Sequence, residues 1–363
     1  MKTLLLQAGN GKADPDNPGT PEFAAALDQA AQILRAGGLV ALPTETVYGL
    51  GANALDAGAV ERIFAAKERP KWDPIIVHVS SLEMARKLVS AIPDSAMRLI
   101  GAFWPGPLTL LLPRSAAVPD VVTAGRPLVG LRMPSHPVAL ELIRRAGVPI
   151  AAPSANRFSH VSPTTAEHVL RDLDGRIDAV LDAGPALHGV ESTVLDPNQT
   201  PMLIYRPGAV TREMIEKTAG AVEIFKSPTE LRETPAEALP SPGVGLRHYA
   251  PRARLVLIEI PAIESGVTPA EIAARITDAA LANECDRMGV MLPAGIPVPE
   301  ELFALPIFSW GSWDAPEEMA HALYAGLRAL DEQGCTVILC PLPPNEGIGV
   351  AIRDRLFKAG NRE

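Results

Sequence analysis

Cysteine is almost missing from this chain of 363 residues: Cys285, Cys335 and Cys340 are all it has, with no C-x-x-C pair and no histidines at zinc-like spacing. A disulfide framework and a zinc site are therefore not what organises it. Long apolar runs are lacking too. Nowhere do about 18 apolar residues follow one another, as a membrane-spanning helix needs. The opening Met1-Lys2-Thr3-Leu4-Leu5-Leu6 is also too short for a secretory core. A cytoplasmic protein without membrane attachment is expected. Positive charge is in deficit: 33 basic side chains face 42 acidic ones, a formal charge of −9 that opposes broad attachment to nucleic acid or anionic lipid. Neither G-x-x-x-x-G-K-[ST] nor G-x-S-x-G occurs, so a Walker-type ATPase and a serine-hydrolase elbow are disfavoured.

What is present describes a soluble globular chain. Apolar residues make up 47% and charged residues 21%, and 36 prolines favour many short connections. The length exceeds what one core comfortably serves, so two domains are expected. Thr20-Pro21 reads as a cap and first residue of a helix to about Ala36, stopped by Gly37-Gly38. Short apolar runs of strand length follow at 39–42, 75–79, 108–112, 128–133, 149–152, 179–181 and 203–205, with helical patterns between several of them. The expectation is an α/β domain over 20–219 with a large mixed sheet. Residues 220–253, with Pro228, Pro235, Pro240, Pro242, Gly243 and Gly245, read as an extended linker or lid. Over 254–363, strand-like runs at 255–260, 289–292 and 336–339 alternate with helices near 269–284 and 316–332. This suggests a smaller Rossmann-like α/β domain, but no G-x-G-x-x-G follows its first strand and no dinucleotide is implied.

Several short constellations carry chemistry. Lys67 and Arg69 stand where Pro70 ends a helical stretch, so both cations are expected to leave the helix end together; taken alone, that is also the ordinary preference of a helix C-terminus for positive charge. Ser154-Ala155-Asn156 follows an apolar run, which puts a hydroxyl and an amide at a strand end, where ligands of open α/β sheets sit. Taken alone, it is a turn. Ser162-Pro163-Thr164-Thr165-Ala166-Glu167 reads as a helix start with N–H groups available to a phosphate, or as a plain cap. His78 sits in an apolar run, where a satisfied core histidine is the usual reading. Arg132 suits a carboxylate gripped by two parallel N–H groups, or is a surface arginine.

The loop Pro43-Thr44-Glu45-Thr46-Val47-Tyr48-Gly49-Leu50, Lys67-Glu68-Arg69, Pro70-Lys71-Trp72-Asp73-Pro74, Arg132-Met133-Pro134, Ser154-Ala155-Asn156 and Gly189-Val190-Glu191-Ser192-Thr193-Val194, read as the end of a strand, occur here together and in this order. The set resembles the Sua5/YrdC/YciO family. The continuation through His248-Tyr249-Ala250-Pro251 into a second α/β region resembles its two-domain Sua5-type members, and the resemblance runs from about residue 20 to the C-terminus. It implies a YrdC-like twisted mixed sheet with helices. It also implies a nucleotidyltransferase in which L-threonine and bicarbonate give a carbamate. That carbamate attacks the α-phosphorus of ATP, with Mg²⁺, to yield L-threonylcarbamoyladenylate and pyrophosphate. The product would serve the threonylcarbamoylation of adenosine 37 in tRNAs reading ANN codons, through a separate transferase machinery.

Carried over residue by residue, the resemblance puts Lys67, Arg69, Thr123, Ser154, Asn156, Ser162, Arg206 and Tyr249 along ATP, with Lys67, Arg69, Ser154 and Asn156 as the catalytic set. Thr44, His78, Arg132, Ala152 and Ser192 would hold threonine. Two positions depart from the family's usual pattern: Asp73 stands where Asn is common, free to approach magnesium or offset Lys71, and Tyr205 stands where Leu is common. Two other functions compete. An RNA-binding module is disfavoured by the acidic balance and the lack of interleaved aromatic and basic residues, so direct tRNA binding is expected to be weak or absent. Carbamoyl transfer, as in hydrogenase-maturation relatives, would come with zinc-finger cysteines that this chain lacks.

Overall fold

The computed structural model describes residues 2–9, 20–225, 239, 241, 244, 249–261, 267–283 and 287–360. Their contacts divide into two compact units, one of residues 1–158 and 162–245, the other of 159–161 and 246–363.

Among the described residues the first unit has eleven strands: β1 (Leu4–Gln7), β2 (Val40–Leu42), β3 (Gly49–Asn53), β4 (Val77–His78), β5 (Leu108–Pro113), β6 (Leu128–Arg132), β7 (Ile150–Ala151), β8 (Ala179–Asp182), β9 (Thr193–Asp196), β10 (Met202–Arg206) and β11 (Val222–Ile224). They form one mixed sheet in the order β1-β8-β2-β3-β7-β4-β6-β5-β9-β10-β11. Apolar side chains fill both faces. Leu34, Leu142 and Ile143 belong to one buried cluster, and Ile63, Phe64 and Leu110 to another. Burial on both faces explains why the strands read as continuous apolar runs rather than as alternating ones.

Local chemistry sets the helix ends. Thr20 caps the helix Pro21–Arg35 by accepting from the Phe23 N–H, and Pro21 opens it at the position where a missing N–H costs nothing. Asp56 accepts from the N–H groups of Gly58 and Ala59 to start the helix Ala57–Lys67, which Glu68 ends in the left-handed conformation at φ 57°.

The second unit carries β12 (Arg254–Ile258), β13 (Met288–Ala294), β14 (Ile307–Ser312) and β15 (Val337–Pro341), all parallel, in the order β12-β15-β13-β14. Ile272, Ile276, Val290 and Leu339 form its core. A capping box at Thr268 opens the helix Pro269–Ala282, with Glu271 Oε2 accepting from the Thr268 N–H at 2.8 Å. Among the described residues no helix is long and apolar enough to cross a membrane.

The α/β expectation stands for both sheets. Five strands escaped the sequence reading. β1 lies in the opening apolar run weighed only as a secretory core, and β3, with Gly49, Gly51, Ala52 and Asn53, has none of the usual strand formers. β9 begins at Thr193, so the Gly189 to Val194 motif leads into a strand rather than ending one. β11 occupies the start of the segment read as linker, and β14 lies in the second unit. Most of that linker, with His248, falls outside the described residues.

Candidate functional site

The sheet delivers the motif residues to loops that share main-chain hydrogen bonds. β2 and β3 pair antiparallel, so residues 43–48 form the turn of a hairpin. Within it the Thr44 hydroxyl donates to the Val47 carbonyl at 2.6 Å and lies 2.8 Å from the Thr46 hydroxyl. Since Thr44 spends its only hydroxyl proton on Val47, Thr46 is the donor between the two. Tyr48 fixes the far side of the turn. Its N–H donates to the Pro163 carbonyl at 2.9 Å and its carbonyl accepts from the Ala155 N–H at 2.8 Å, while its phenol donates to Gly184 at 2.7 Å.

Lys67 is buried. Its Nζ donates to the Ser154 carbonyl at 2.6 Å and also to the Asn156 carbonyl, which ties the Lys-x-Arg and Ser-x-Asn motifs together through the backbone. Burial, and then the neighbouring Arg69 charge, draw its ammonium well below the ordinary lysine range, with Asp172 and Asp73 opposing. Arg69 turns away. It donates to the Pro74 carbonyl at 2.9 Å and pairs with Asp73 at 2.8 Å. The expectation that Asp73 offsets Lys71 fails on this geometry, because Lys71 pairs with Glu61 and the i,i+4 spacing gives Asp73 to Arg69. Thr123 ends the short helix Asp120–Thr123, whose Val122 carbonyl accepts from Ile75 at 2.8 Å, next to the Pro74 that Arg69 holds.

His78 and Arg132 are cross-strand partners in the parallel β4–β6 pair. Arg132 donates through Nη1 to the Thr46 hydroxyl at 2.9 Å and through Nε to Gly106 at 3.3 Å, and its Nη2 lies 2.7 Å from Glu45 Oε1. Burial alone would raise the Glu45 carboxyl. The Arg132 charge and nearby N–H groups, including that of Ser135, hold it down to about 2. His78 is pushed down to about 3 by burial and then by Arg132, against the pull of Glu45 and of the Ile150 backbone, so it is neutral at neutral pH.

Ser192 is fully buried. Its hydroxyl lies 2.8 Å from that of Thr109, and Arg206 clamps it by donating to its carbonyl at 3.0 Å and to its hydroxyl at 3.1 Å. Gly208 makes room for this turn: a Cβ there would sit 2.4 Å from the Thr193 nitrogen and 2.6 Å from the Glu191 carbonyl. Ser162 donates to Glu191 Oε1 at 2.6 Å. The helix expected at Ser162 begins only at Ala166, because Thr165 is the side chain that caps it, accepting from the His168 N–H at 3.2 Å. The loop before Ser192 is tied to the hairpin turn where the His188 N–H donates to the Glu45 carbonyl at 2.7 Å. Ala152 joins β4 through its N–H on the Ile76 carbonyl at 2.9 Å.

One connected set of loops and element ends in the first unit thus carries Thr44, Lys67, Arg69, His78, Thr123, Arg132, Ala152, Ser154, Asn156, Ser162, Ser192 and Arg206. Tyr249 belongs to the second unit. There it adopts φ 64°, its ring stacks 5.8 Å from that of Tyr324, and the Arg355 guanidinium lies 5.3 Å from its centre. Sequence reasoning left Glu45, Thr46 and Glu191 without roles although all three lie in quoted motifs. Buried pairs between distant segments leave no spacing signal.

The surroundings suit anions: buried cations and hydroxyls meet at strand ends. The chain matches two family models, Sua5/YciO/YrdC, described as telomere recombination, over residues 32–208, and the threonylcarbamoyl-AMP synthase C-terminal domain over residues 210–361. The threonylcarbamoyl-AMP synthase of Pyrococcus abyssi is 43% identical over 330 residues, spanning 91% of this chain and 92% of that one. Its Bacillus subtilis counterpart is 42% identical over 337 residues, with 92% of each covered. A crystal structure of P. abyssi Sua5 complexed with L-threonine matches at a TM-score of 0.83 and 38% identity, over 99% of this chain and 98% of that one.

Proposed function

The chain belongs to the Sua5/YciO/YrdC family in its two-domain form, and from that premise we propose that it joins L-threonine, bicarbonate and ATP into L-threonylcarbamoyladenylate with release of pyrophosphate. The observation that carries this reading is likeness over 91–92% of the chain, at 42–43% identity, to enzymes named for that product. It is an adenylyl-transferring enzyme, and the chemistry suits what the site contains. A carbamate is already anionic, so its attack on phosphorus needs no side-chain nucleophile or base. It needs alignment and screening of negative charge.

In this reading Lys67, Arg69, Ser154 and Asn156 align the phosphates, and Thr123, Ser162 and Arg206 flank the nucleotide, with Tyr249 assigned to it by family resemblance. Thr44, His78, Arg132, Ala152 and Ser192 surround the amino acid. Phosphate beside Lys67 would restore the positive charge that burial opposes. Magnesium enters as part of the substrate, carried by the triphosphate; the Glu191 carboxylate and the Ser162 hydroxyl are oxygen donors of the kind it takes. The product passes to a separate transferase acting on adenosine 37 of tRNA. With a formal charge of −9 the chain itself binds tRNA weakly or not at all, and it works in the cytoplasm.

The test is pyrophosphate release from ATP by the purified chain, with threonine and bicarbonate supplied together and then each withheld. Release that needs both, with the threonylcarbamoyladenylate mass among the products, is the expected result. Release indifferent to threonine overturns the proposal.

A further inference from the structure

Glu45 and Arg132 form a buried ion pair in the first unit. Their side chains are each 4% exposed, and they approach to 2.7 Å. Yet among the described residues neither Glu45 oxygen accepts, and Arg132 Nη2 does not donate, a hydrogen bond of good alignment. The N–H groups near Glu45 act on it electrostatically without meeting it squarely. Among the described residues His78 Nδ1 and His136 Nδ1 are buried without a hydrogen-bond partner as well, and both rings feel the Glu45 charge. Buried polar atoms of a folded protein are normally paired with good alignment, so four side chains that together fall short of it call for a ligand.

The chemistry of that ligand follows from what is left over. Arg132 Nη2 is ion-paired with Glu45 but has N–H capacity left for a better-aligned acceptor. A ligand that draws Arg132 away from Glu45 must give Glu45 a positively charged donor in return, because burial by itself works against its ionised form. A zwitterion supplies both. Its carboxylate shares the Arg132 charge while its ammonium replaces that charge at Glu45, and the net charge of the buried group is unchanged. A plain carboxylate ligand would instead take Arg132 from Glu45 and leave one buried negative charge uncompensated.

We infer that Glu45 reads the α-ammonium of the amino-acid substrate, pairing with it and thereby excluding acids that lack it. The inference rests on the proposed function for the identity of the amino acid. It gives Glu45 a direct contact with substrate and leaves Arg132 its place at the carboxylate.

Titration calorimetry on the full chain tests this, with L-threonine and with its α-hydroxy acid analogue, which carries hydroxyl in place of ammonium. The wild-type chain should prefer threonine by about 100-fold or more, the scale on which a buried unpaired group discriminates. In Glu45→Gln that preference should fall at least about tenfold, with threonine binding more weakly and the hydroxy acid more tightly, because neutral glutamine leaves Arg132 and a carboxylate balanced. A folded Glu45→Gln with unchanged preference overturns the inference. A second measurement needs no variant: threonine binding to the wild-type chain in buffers of different ionisation enthalpy should take up no proton near pH 7. Uptake of about one proton means that Glu45 is neutralised rather than paired, which also overturns it. A wild-type chain that binds the hydroxy acid as well as threonine overturns the role of Glu45 alone, whereas one that binds neither removes the amino-acid reading and this inference with it.

Discussion

Lys67 Nζ donates to the backbone carbonyl of Ser154 at 2.6 Å, so the cation at a helix end holds the main chain of a motif far along the sequence. A side chain in that position has two jobs: it shapes the Ser154 to Asn156 turn, and it supplies charge beside it.

Lys67→Ala should therefore lower pyrophosphate release by roughly 10²–10³, the scale of losing one preorganised charge-stabilising contact. It should also lower the melting temperature, since the Ser154 and Asn156 carbonyls lose a buried donor. Steady-state rates and thermal denaturation of the same preparation check both effects. Activity near the wild-type value would remove Lys67 from the catalytic set.

Arg206→Lys should destabilise the protein by about 1.5–3 kcal/mol, because an ammonium cannot reproduce the forked grip on the Ser192 carbonyl and hydroxyl. Denaturant unfolding at neutral pH measures it. A change within about 0.5 kcal/mol would show that the clamp is not used.

Gly208→Ala should cost about 3 kcal/mol or more, or prevent folding, because the added Cβ would meet backbone atoms of Glu191, Ser192 and Thr193 at 2.4–2.7 Å. Backbone cannot step aside as a flexible side chain can. Soluble expression and melting temperature report the outcome, and a wild-type melting temperature would refute the close approach.

His78 gives the protein a pH signature. The folded state keeps it neutral to about 3, whereas an ordinary histidine protonates near 6.5. Below pH 6.5 the unfolded chain gains a proton that the folded chain refuses. Stability should thus fall with falling pH through this window, by about 1.4 kcal/mol per pH unit from this group. His136, also lowered by burial, acts in the same sense, and Glu45, ionised down to about 2, adds its own loss below the ordinary carboxylate range. His78→Gln should flatten the curve between pH 6.5 and about 5, before carboxylates titrate. Unfolding free energies at several pH values decide it.

Most of the first unit was legible because buried strands write themselves as apolar runs, as at β5 and β6. β3 was not, since its two glycines and one alanine carry no strand signal of their own, and Leu42 and Ile150 pack close against Gly51. The motif residues were visible as a conjunction, but their partners were not. Glu45 reaches Arg132, and Ser162 reaches Glu191, across sequence distances that no local period records. The late helix start at Ala166 was missed because Ser162 and Thr165 are both acceptable caps by type, and only the Ser162 bond to Glu191 separates them.

The hairpin turn 43–48 limits how this protein can change. Both ends enter an antiparallel ladder in which Leu42 faces Gly49 and Val40 faces Gly51. Adding or removing one residue would slip β3 by one step and invert every side chain on it, driving larger groups into the narrow space at Gly51. New substrate preference is therefore open to exchanges of side chain at Thr44, Glu45 and Thr46 and closed to changes of loop length. A library for altered amino-acid use belongs at those three positions with the turn kept at its present size.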